Sequence, residues 1–232
     1  MERDIYQKLL QWKSSSRRKP LLLQGARQTG KTFILREFGR NEYRNTIYCN
    51  FEENSGFDQL FQNDLNPDRI LDELATYMNL EIHPESDLVI FDEIQISNRA
   101  LISLKYFAEQ SADVHVVAAG SLLGVKLSGP GSFPVGKVNF LQLYPMTFLE
   151  FLVAMKESRY RKLLENVDPF VSLTEAFHVH LIDLLRHYYF VGGMPEAVKH
   201  FAAKANGREI REIQQEIIKS YVLDFAKHAP AL

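Results

Sequence analysis

Residues 20 to 32 read Pro-Leu-Leu-Leu-Gln-Gly-Ala-Arg-Gln-Thr-Gly-Lys-Thr, and this stretch decides the fold. Its apolar beginning, residues 21–23, predicts a short buried strand, and from Lys31 onward apolar residues recur at helical spacing. Between the two lies the pattern G-x-x-x-x-G-K-[ST], from Gly25 to Thr32. Because the pattern follows a predicted strand and opens a predicted helix, it indicates a phosphate-binding loop rather than a glycine-rich turn with an incidental lysine.

The residue types in this loop match the chemistry of a nucleoside triphosphate. Glycines let the backbone turn so that successive N–H groups point inward at the phosphates, and the following helix adds the positive end of its dipole. We expect the Lys31 ammonium to reach the β/γ oxygens and act in catalysis, and the Thr32 hydroxyl to ligate Mg²⁺. The residues expected to bind the nucleotide are Gly25, Ala26, Arg27, Gln28, Thr29, Gly30, Lys31, Thr32 and Phe33.

A second informative motif ends another predicted strand. Residues 87–93 read Asp-Leu-Val-Ile-Phe-Asp-Glu, and this apolar run ending in two acids, downstream of the phosphate loop, predicts a Walker B strand. We expect Asp92 to hold Mg²⁺ through water and Glu93 to orient and polarise the attacking water. The adjacent glutamate is typical of NTPases that activate water with a strand-borne carboxylate. The chain has no Asn/Thr-Lys-x-Asp motif for reading guanine, so ATP is the expected nucleotide.

Further polar residues are candidates for the same site. Ser121 ends a predicted strand over 114–121, and it either senses the γ-phosphate catalytically or caps a following helix. Glycines and prolines from Gly124 to Gly136 predict a long mobile loop, and its flanking Lys126 and Lys137 either approach a γ-phosphate or stay in solvent. Glu52 and Glu53 follow a predicted strand over 46–51 and are read as a loop start, with metal contact as the alternative. The candidates for an arginine finger or its lysine equivalent are Arg99, Lys137, Arg159 and Arg186.

Composition bounds the class of protein. With 232 residues, 46% hydrophobic and 24% charged, the chain is ordinary for a globular protein of more than one unit. A net charge of −2 gives no global signature of nucleic-acid binding, which would need a local basic patch such as residues 159–162. The only cysteine, Cys49, excludes an internal disulfide and suits a reducing compartment. No apolar run approaches the ~18 residues of a membrane span, and no signal peptide is evident. We therefore expect a cytoplasmic protein without membrane contact.

The order of predicted elements divides the chain. Strands and helices alternate up to a predicted fifth strand over 138–143, which is typical of an α/β fold. From Tyr144 onward the apolar residues recur only at helical spacing. We expect a P-loop core over residues 1–144 and a helical lid or winged-helix-like unit over 145–232. Because the sequence stops soon after a strongly helical stretch, we also expect it to be a fragment of a longer protein.

Four segments together resemble prokaryotic AAA-like ATPases whose core precedes a C-terminal domain of unknown function. They are residues 23–32, Phe-Asp-Glu-Ile-Gln at 91–95, Leu-Tyr-Pro-Met-Thr-Phe-Leu-Glu-Phe-Leu at 143–152, and Gly-Gly-Met-Pro-Glu-Ala-Val at 192–198. The resemblance implies a five-stranded parallel sheet in the order 5-1-4-3-2, an ATP-binding core with a winged-helix-like extension, and a further C-terminal domain beyond this chain. The chain departs from the family at Lys137, where arginine is a frequent alternative; lysine lacks the bidentate guanidinium.

The leading hypothesis is an Mg-dependent ATPase that couples hydrolysis to conformational change. The alternative is a slow or non-hydrolysing, ATP-gated binding module that recruits nucleic acid or a protein. A small-molecule kinase is a third hypothesis, less favoured because the Asp-Glu pair is rarely needed for phosphate transfer to a metabolite. Beyond ATP, the candidate partners are a second copy of the chain, a nucleic acid and another protein.

Overall fold

A five-stranded parallel sheet forms the centre of the first of two units into which the chain divides. The computed structural model describes residues 2–121, 136–168 and 171–228. The sheet unit comprises Ile5–Leu143, and the helical unit combines Met1–Asp4 with Tyr144–Leu232. The strands are β1 (Leu21–Gly25), β2 (Thr46–Asn50), β3 (Leu88–Asp92), β4 (His115–Ser121) and β5 (Asn139–Leu143). Their spatial order, β2-β3-β4-β1-β5, confirms the predicted sheet.

Helices cover both faces of this sheet. They are α1 (Ile5–Ser14), α2 (Lys31–Glu42), α3 (Gly56–Gln59), α4 (Pro67–Met78) and α5 (Asn98–Gln110), with a 3₁₀ turn at Ile94–Ile96. Alternate strand residues enter two cores: Leu22 and Phe91 pack with α4 and α5, whereas Leu23 and Ile90 pack with α1 and α2. The central strands β3 and β4 are buried along their whole length, which explains their uninterrupted apolar sequences.

The register of the strands gathers polar residues at one edge of the sheet. Asn50 at the end of β2 lies opposite Asp92 at the end of β3. On the other side, Ser121 at the end of β4 lies opposite Gly25 at the end of β1. Because all pairs are parallel, these four carboxyl ends share the edge where open α/β sheets bind ligands.

The helical unit contains helices and no strand in residues 144–168 and 171–228. Its helices are α6 (Phe148–Ala154), α7 (Ser158–Asn166), α8 (Glu175–Val191), α9 (Pro195–Ala202) and α10 (Gly207–His228). The Thr147 hydroxyl accepts from the Glu150 N–H while the Glu150 carboxylate accepts from the Thr147 N–H, so a capping box begins α6. Of the two predicted forms, a helical unit or a winged-helix-like unit, the described residues have the helical one.

Residues from the N-terminus belong to the helical unit. The Arg3 guanidinium contacts the Glu150 carboxylate at 3.0 Å, and both side chains are buried. The Asp4 N–H also donates to Glu150, and the Asp4 carboxylate pairs with Arg161 at 2.7 Å. The helical unit therefore includes residues 1–4 as well as the residues after the predicted boundary at 144 and 145. That the two units are separate domains stays a prediction. The predicted loop from Gly124 to Gly136 lies outside the described residues except for Gly136 itself.

Candidate functional site

The loop between β1 and α2 has a backbone that only particular residues tolerate. A Cβ at Gly25 would lie 2.4 Å from the Leu143 carbonyl oxygen, so glycine is required where β1 meets β5. Gln28 and Gly30 have φ values of 61° and 93°, in the left-handed region, and they turn the chain into α2. The Thr29 hydroxyl donates to the Ala26 carbonyl at 2.8 Å and fastens the loop from within. The sequence prediction of a strand, a loop and a helix starting at Lys31 is confirmed.

Lys31 is held inside this loop. Its ammonium donates to the carbonyl oxygens of Gly25 at 3.0 Å and Ala26 at 2.8 Å, and the residue is 7% exposed. The positive charge therefore lies at the N-terminal end of α2, where the helix dipole also favours an anion. Phe33, by contrast, is exposed.

Asp92 and Thr32 are in contact, as their predicted shared role requires. The Thr32 hydroxyl donates to Oδ2 of Asp92 at 2.7 Å, although the two residues come from different elements. Asp92 is 1% exposed, and its Oδ1 accepts from the Glu93 N–H at 3.0 Å. A hydroxyl beside a carboxylate is a set of hard oxygen donors, so these residues fit Mg²⁺.

Tyr48 on β2 completes the surroundings of Asp92. Its hydroxyl donates to the same Oδ2 atom at 2.7 Å, and the Asn50 amide donates to the Tyr48 oxygen at 3.3 Å. Burial, followed by the hydrogen bond to Asp92, raises the pKa of Tyr48, so its hydroxyl remains a proton donor at neutral pH. The sequence did not single out Tyr48, because a half-buried tyrosine in an alternating strand has the pattern of a packing residue. After β2, the backbone N–H groups of Glu52 and Glu53 donate hydrogen bonds to the Asn50 side chain.

Glu93 follows Asp92 in an uncommon backbone conformation. Its φ and ψ of 52° and 40° are left-handed, which is rare for a residue with a side chain and is often found at functional sites. The Glu93 carboxylate accepts a hydrogen bond from the Gln95 amide. Gln95 belongs to the motif at 91–95, and the sequence alone indicates no role for it.

Ser121 is distant from the phosphate loop in the sequence, but strand pairing in the sheet places it beside that loop. It is 5% exposed at the end of β4 and is paired in register with Gly25. The alternative of a helix cap concerns residues after 121, which lie outside the described part of the chain.

The candidate cationic residues have different surroundings. Lys137 pairs with the Glu109 carboxylate at 2.9 Å, and the Arg99 guanidinium donates to the Phe61 carbonyl oxygen, so both are engaged within the sheet unit. Arg159 and Arg186 lie exposed on helices of the helical unit. Lys126 lies outside the described residues.

The fold is that of a P-loop NTPase of the AAA type, a class of nucleotide-binding proteins. Three features define it: the phosphate loop after β1, the acidic residue that ends β3, and the sheet order β2-β3-β4-β1-β5. The model of the AAA domain family matches residues 17–152, more than half of the chain, and the chain belongs to this family. A curated relative, an uncharacterized protein of Methanocaldococcus jannaschii, is 24% identical over 205 residues, which are 84% of this chain and 42% of that protein. The chain thus spans less than half the length of this relative.

Two solved structures resemble this chain over most of its length. AMPPCP-bound DnaA from Aquifex aeolicus is 15% identical, with a TM-score of 0.49 over 97% of this chain and 66% of that one. The Aeropyrum pernix ORC1 protein in complex with DNA is 14% identical, with a TM-score of 0.46 and the same two coverages. Residues 2–121, 136–168 and 171–228 include no helix with the length and apolar character needed to span a membrane.

Proposed function

We propose that the chain binds ATP with Mg²⁺ at the phosphate loop and hydrolyses the bond between the β- and γ-phosphates. The observation that carries this proposal is the contact between Thr32 and Asp92 at 2.7 Å, with Glu93 next in the chain. This contact brings together the two residues predicted to hold the metal, which come from motifs far apart in the sequence. It also places them beside Glu93, a carboxylate able to accept a proton from water. The single cysteine suits a reducing compartment, and the cytoplasm is the location we propose.

Each residue has one task in the proposed reaction. Backbone N–H groups of residues 25–32 and the Lys31 ammonium bind the β- and γ-phosphates and stabilise the charge that develops on them. Thr32 and Asp92 would hold Mg²⁺, which when bound would neutralise negative charge on the phosphate oxygens. Glu93 orients a water molecule and accepts its proton as the water oxygen attacks the γ-phosphorus, so ADP and inorganic phosphate are the products. Ser121 contacts the γ-phosphate and communicates its loss to neighbouring elements, giving the conformational change.

An ATP-gated binding module with slow turnover is the second candidate function. The hydrogen bond from Gln95 to the Glu93 carboxylate supports it, because a carboxylate engaged by an amide is less available to accept a proton from water. In this function a second copy of the chain, a nucleic acid or another protein would be the recruited partner, and its binding would release Glu93.

Phosphate release from Mg·ATP by the parent chain and by Glu93→Gln tests the two functions. Hydrolysis predicts at least a 100-fold fall in rate for Glu93→Gln while a fluorescent ATP analogue binds with unchanged affinity. Lys31→Ala is the matched variant that should lose binding itself. Binding without turnover in the parent would instead favour the gated module, and no binding of ATP by the parent would contradict both.

A further inference from the structure

Three arginines line a groove that the proposed reaction does not use. Arg36 and Arg40 lie one turn apart on α2, and Arg44 lies between α2 and β2. Together with Tyr43, Tyr48 and small polar residues they surround a cavity of about 420 Å³ within the sheet unit. This volume is in the range of sites that hold small ligands or part of a larger one.

Within the described residues, no acidic side chain forms an ion pair with the arginines of this groove. All three arginines are exposed, and among the described residues none of their guanidinium groups makes an ion pair or hydrogen bond. The Arg36 guanidinium makes a cation–π contact, 3.8 Å above the centre of the Tyr48 ring. The nearby Glu42 is already engaged by the Lys13 ammonium and the Tyr6 hydroxyl. Three unpaired arginines on one short surface repel one another, so the groove favours an anionic ligand.

The lining indicates which kind of anion fits. The buried centre of a protein–protein interface is more apolar than its rim, and the described residues that line this groove include no aliphatic side chain. Arginine forks bind phosphate oxygens with two parallel hydrogen bonds, and surfaces that bind nucleic acid are more polar and more positive than protein interfaces. A duplex presents its phosphates on a convex surface, whereas a single strand can enter a recess of this size.

We propose that this groove binds the phosphodiester backbone of a single-stranded nucleic acid through Arg36, Arg40 and Arg44. The position of Tyr48 gives such binding a route to the phosphate loop. The Tyr48 ring lies under Arg36, and its hydroxyl donates to Asp92 at 2.7 Å, so one side chain separates the bound strand from the carboxylate of the candidate metal site. The binding itself requires neither ATP nor hydrolysis, so it is independent of the proposed hydrolysis and differs from the ATP-gated recruitment of the second candidate function.

Fluorescence anisotropy of a labelled oligothymidylate, measured without nucleotide, tests the proposal. Arg40→Glu with Arg44→Glu should weaken binding at least tenfold, and the slope of log K against log salt should lessen by about 1.4 as two phosphate contacts are lost. The matched control is Lys199→Glu with Lys204→Glu, which makes the same charge change at exposed residues of the helical unit and should leave the affinity unchanged. Arg40→Lys with Arg44→Lys keeps the charge but removes the bidentate hydrogen bonds, so it should weaken binding less than the glutamate variant and leave the salt slope unchanged.

Several results would overturn the proposal. They are no binding by the parent chain, an equal loss in the Lys199 and Lys204 control, and tighter binding of duplex than of single-stranded DNA. Displacement of the oligothymidylate by polyglutamate at equal charge concentration would also overturn it, because it would identify an acidic polypeptide as the ligand. Unchanged far-UV circular dichroism in each variant excludes loss of folding as the cause.

Discussion

Tyr48 illustrates how a single side chain outside the nucleotide-binding motif can control a site. Its hydroxyl and that of Thr32 donate to the same oxygen of Asp92. Two donors on one carboxylate oxygen fix the direction in which the other lone pairs of Asp92 point. Groups that orient a metal-binding carboxylate in this way commonly change metal affinity when they are removed.

Replacing Tyr48 by phenylalanine should therefore weaken the proposed Mg²⁺ site without destroying it. The ring and its packing remain, so we expect the Mg²⁺ concentration for half-maximal binding of a fluorescent ATP analogue to rise about tenfold. Tyr77→Phe is the matched control, because the Tyr77 hydroxyl contacts Asn54 rather than Asp92. An unchanged Mg²⁺ dependence in Tyr48→Phe would show that Tyr48 does not orient Asp92.

At the scale of elements, the sequence predicted best where one local pattern determines the structure. The apolar runs of β1, β3 and β4 predicted buried strands, and the sheet confirms these strands. The glycine-lysine pattern predicted the loop that follows β1. Contacts between distant residues leave no such local pattern. Arg3 and Glu150 are 147 positions apart, and nothing in either segment indicates that they form a buried pair. The same reason applies to Tyr48 and Asp92, and to Lys137, whose partner Glu109 lies on α5.

Two of the segments that carry the family resemblance, residues 143–152 and 192–198, contact each other in the helical unit. The Met146 N–H donates to the Gly193 carbonyl oxygen, and the Tyr188 hydroxyl donates to the Met146 carbonyl oxygen. A Cβ at Gly193 would lie 2.3 Å from that same Met146 oxygen. The segment that begins α6 and the turn before α9 therefore lie backbone to backbone, which explains why a glycine is needed there.

Gly193→Ala should destabilise the helical unit by about 1–3 kcal/mol, because backbone rather than a flexible side chain must move to admit the methyl group. Urea unfolding followed by far-UV circular dichroism measures this loss. The matched control is Gly207→Ala at the start of α10, where the nearest atom to an added Cβ is 3.5 Å away on the Phe190 side chain. Equal stability of the Gly193 and Gly207 variants would contradict the close contact.

For the molecule as a whole, stability depends on a histidine that is buried without charge. His115 begins β4 and is 6% exposed, with its Nδ1 atom 2.6 Å from the Tyr43 hydroxyl and its ring against Trp12. Burial lowers the pKa of His115 to about 4, and the positive charges of Arg18 and Lys13 act in the same direction against a small opposing effect of Asp113. Burial raises the pKa of the Tyr43 hydroxyl, so this group keeps its proton and is able to donate to the unprotonated Nδ1 atom of a neutral His115.

The folded chain should consequently lose stability as the pH falls from neutral towards 4. In the unfolded chain His115 has an ordinary pKa of about 6.5. Between that pH and the folded pKa, the unfolded state binds a proton at His115 and the folded state does not. This one group should lower the free energy of unfolding by about 2 kcal/mol between pH 7 and pH 5 and by about 1 kcal/mol more down to pH 4, and the loss should level off as the pH falls below 4. Urea unfolding followed by the fluorescence of Trp12, the only tryptophan, measures the effect. His115→Gln should flatten the pH dependence over this range, whereas His187→Gln, at an exposed position, should not. Parallel pH profiles for the parent and His115→Gln would mean that His115 is protonated as readily in the folded chain as in the unfolded one.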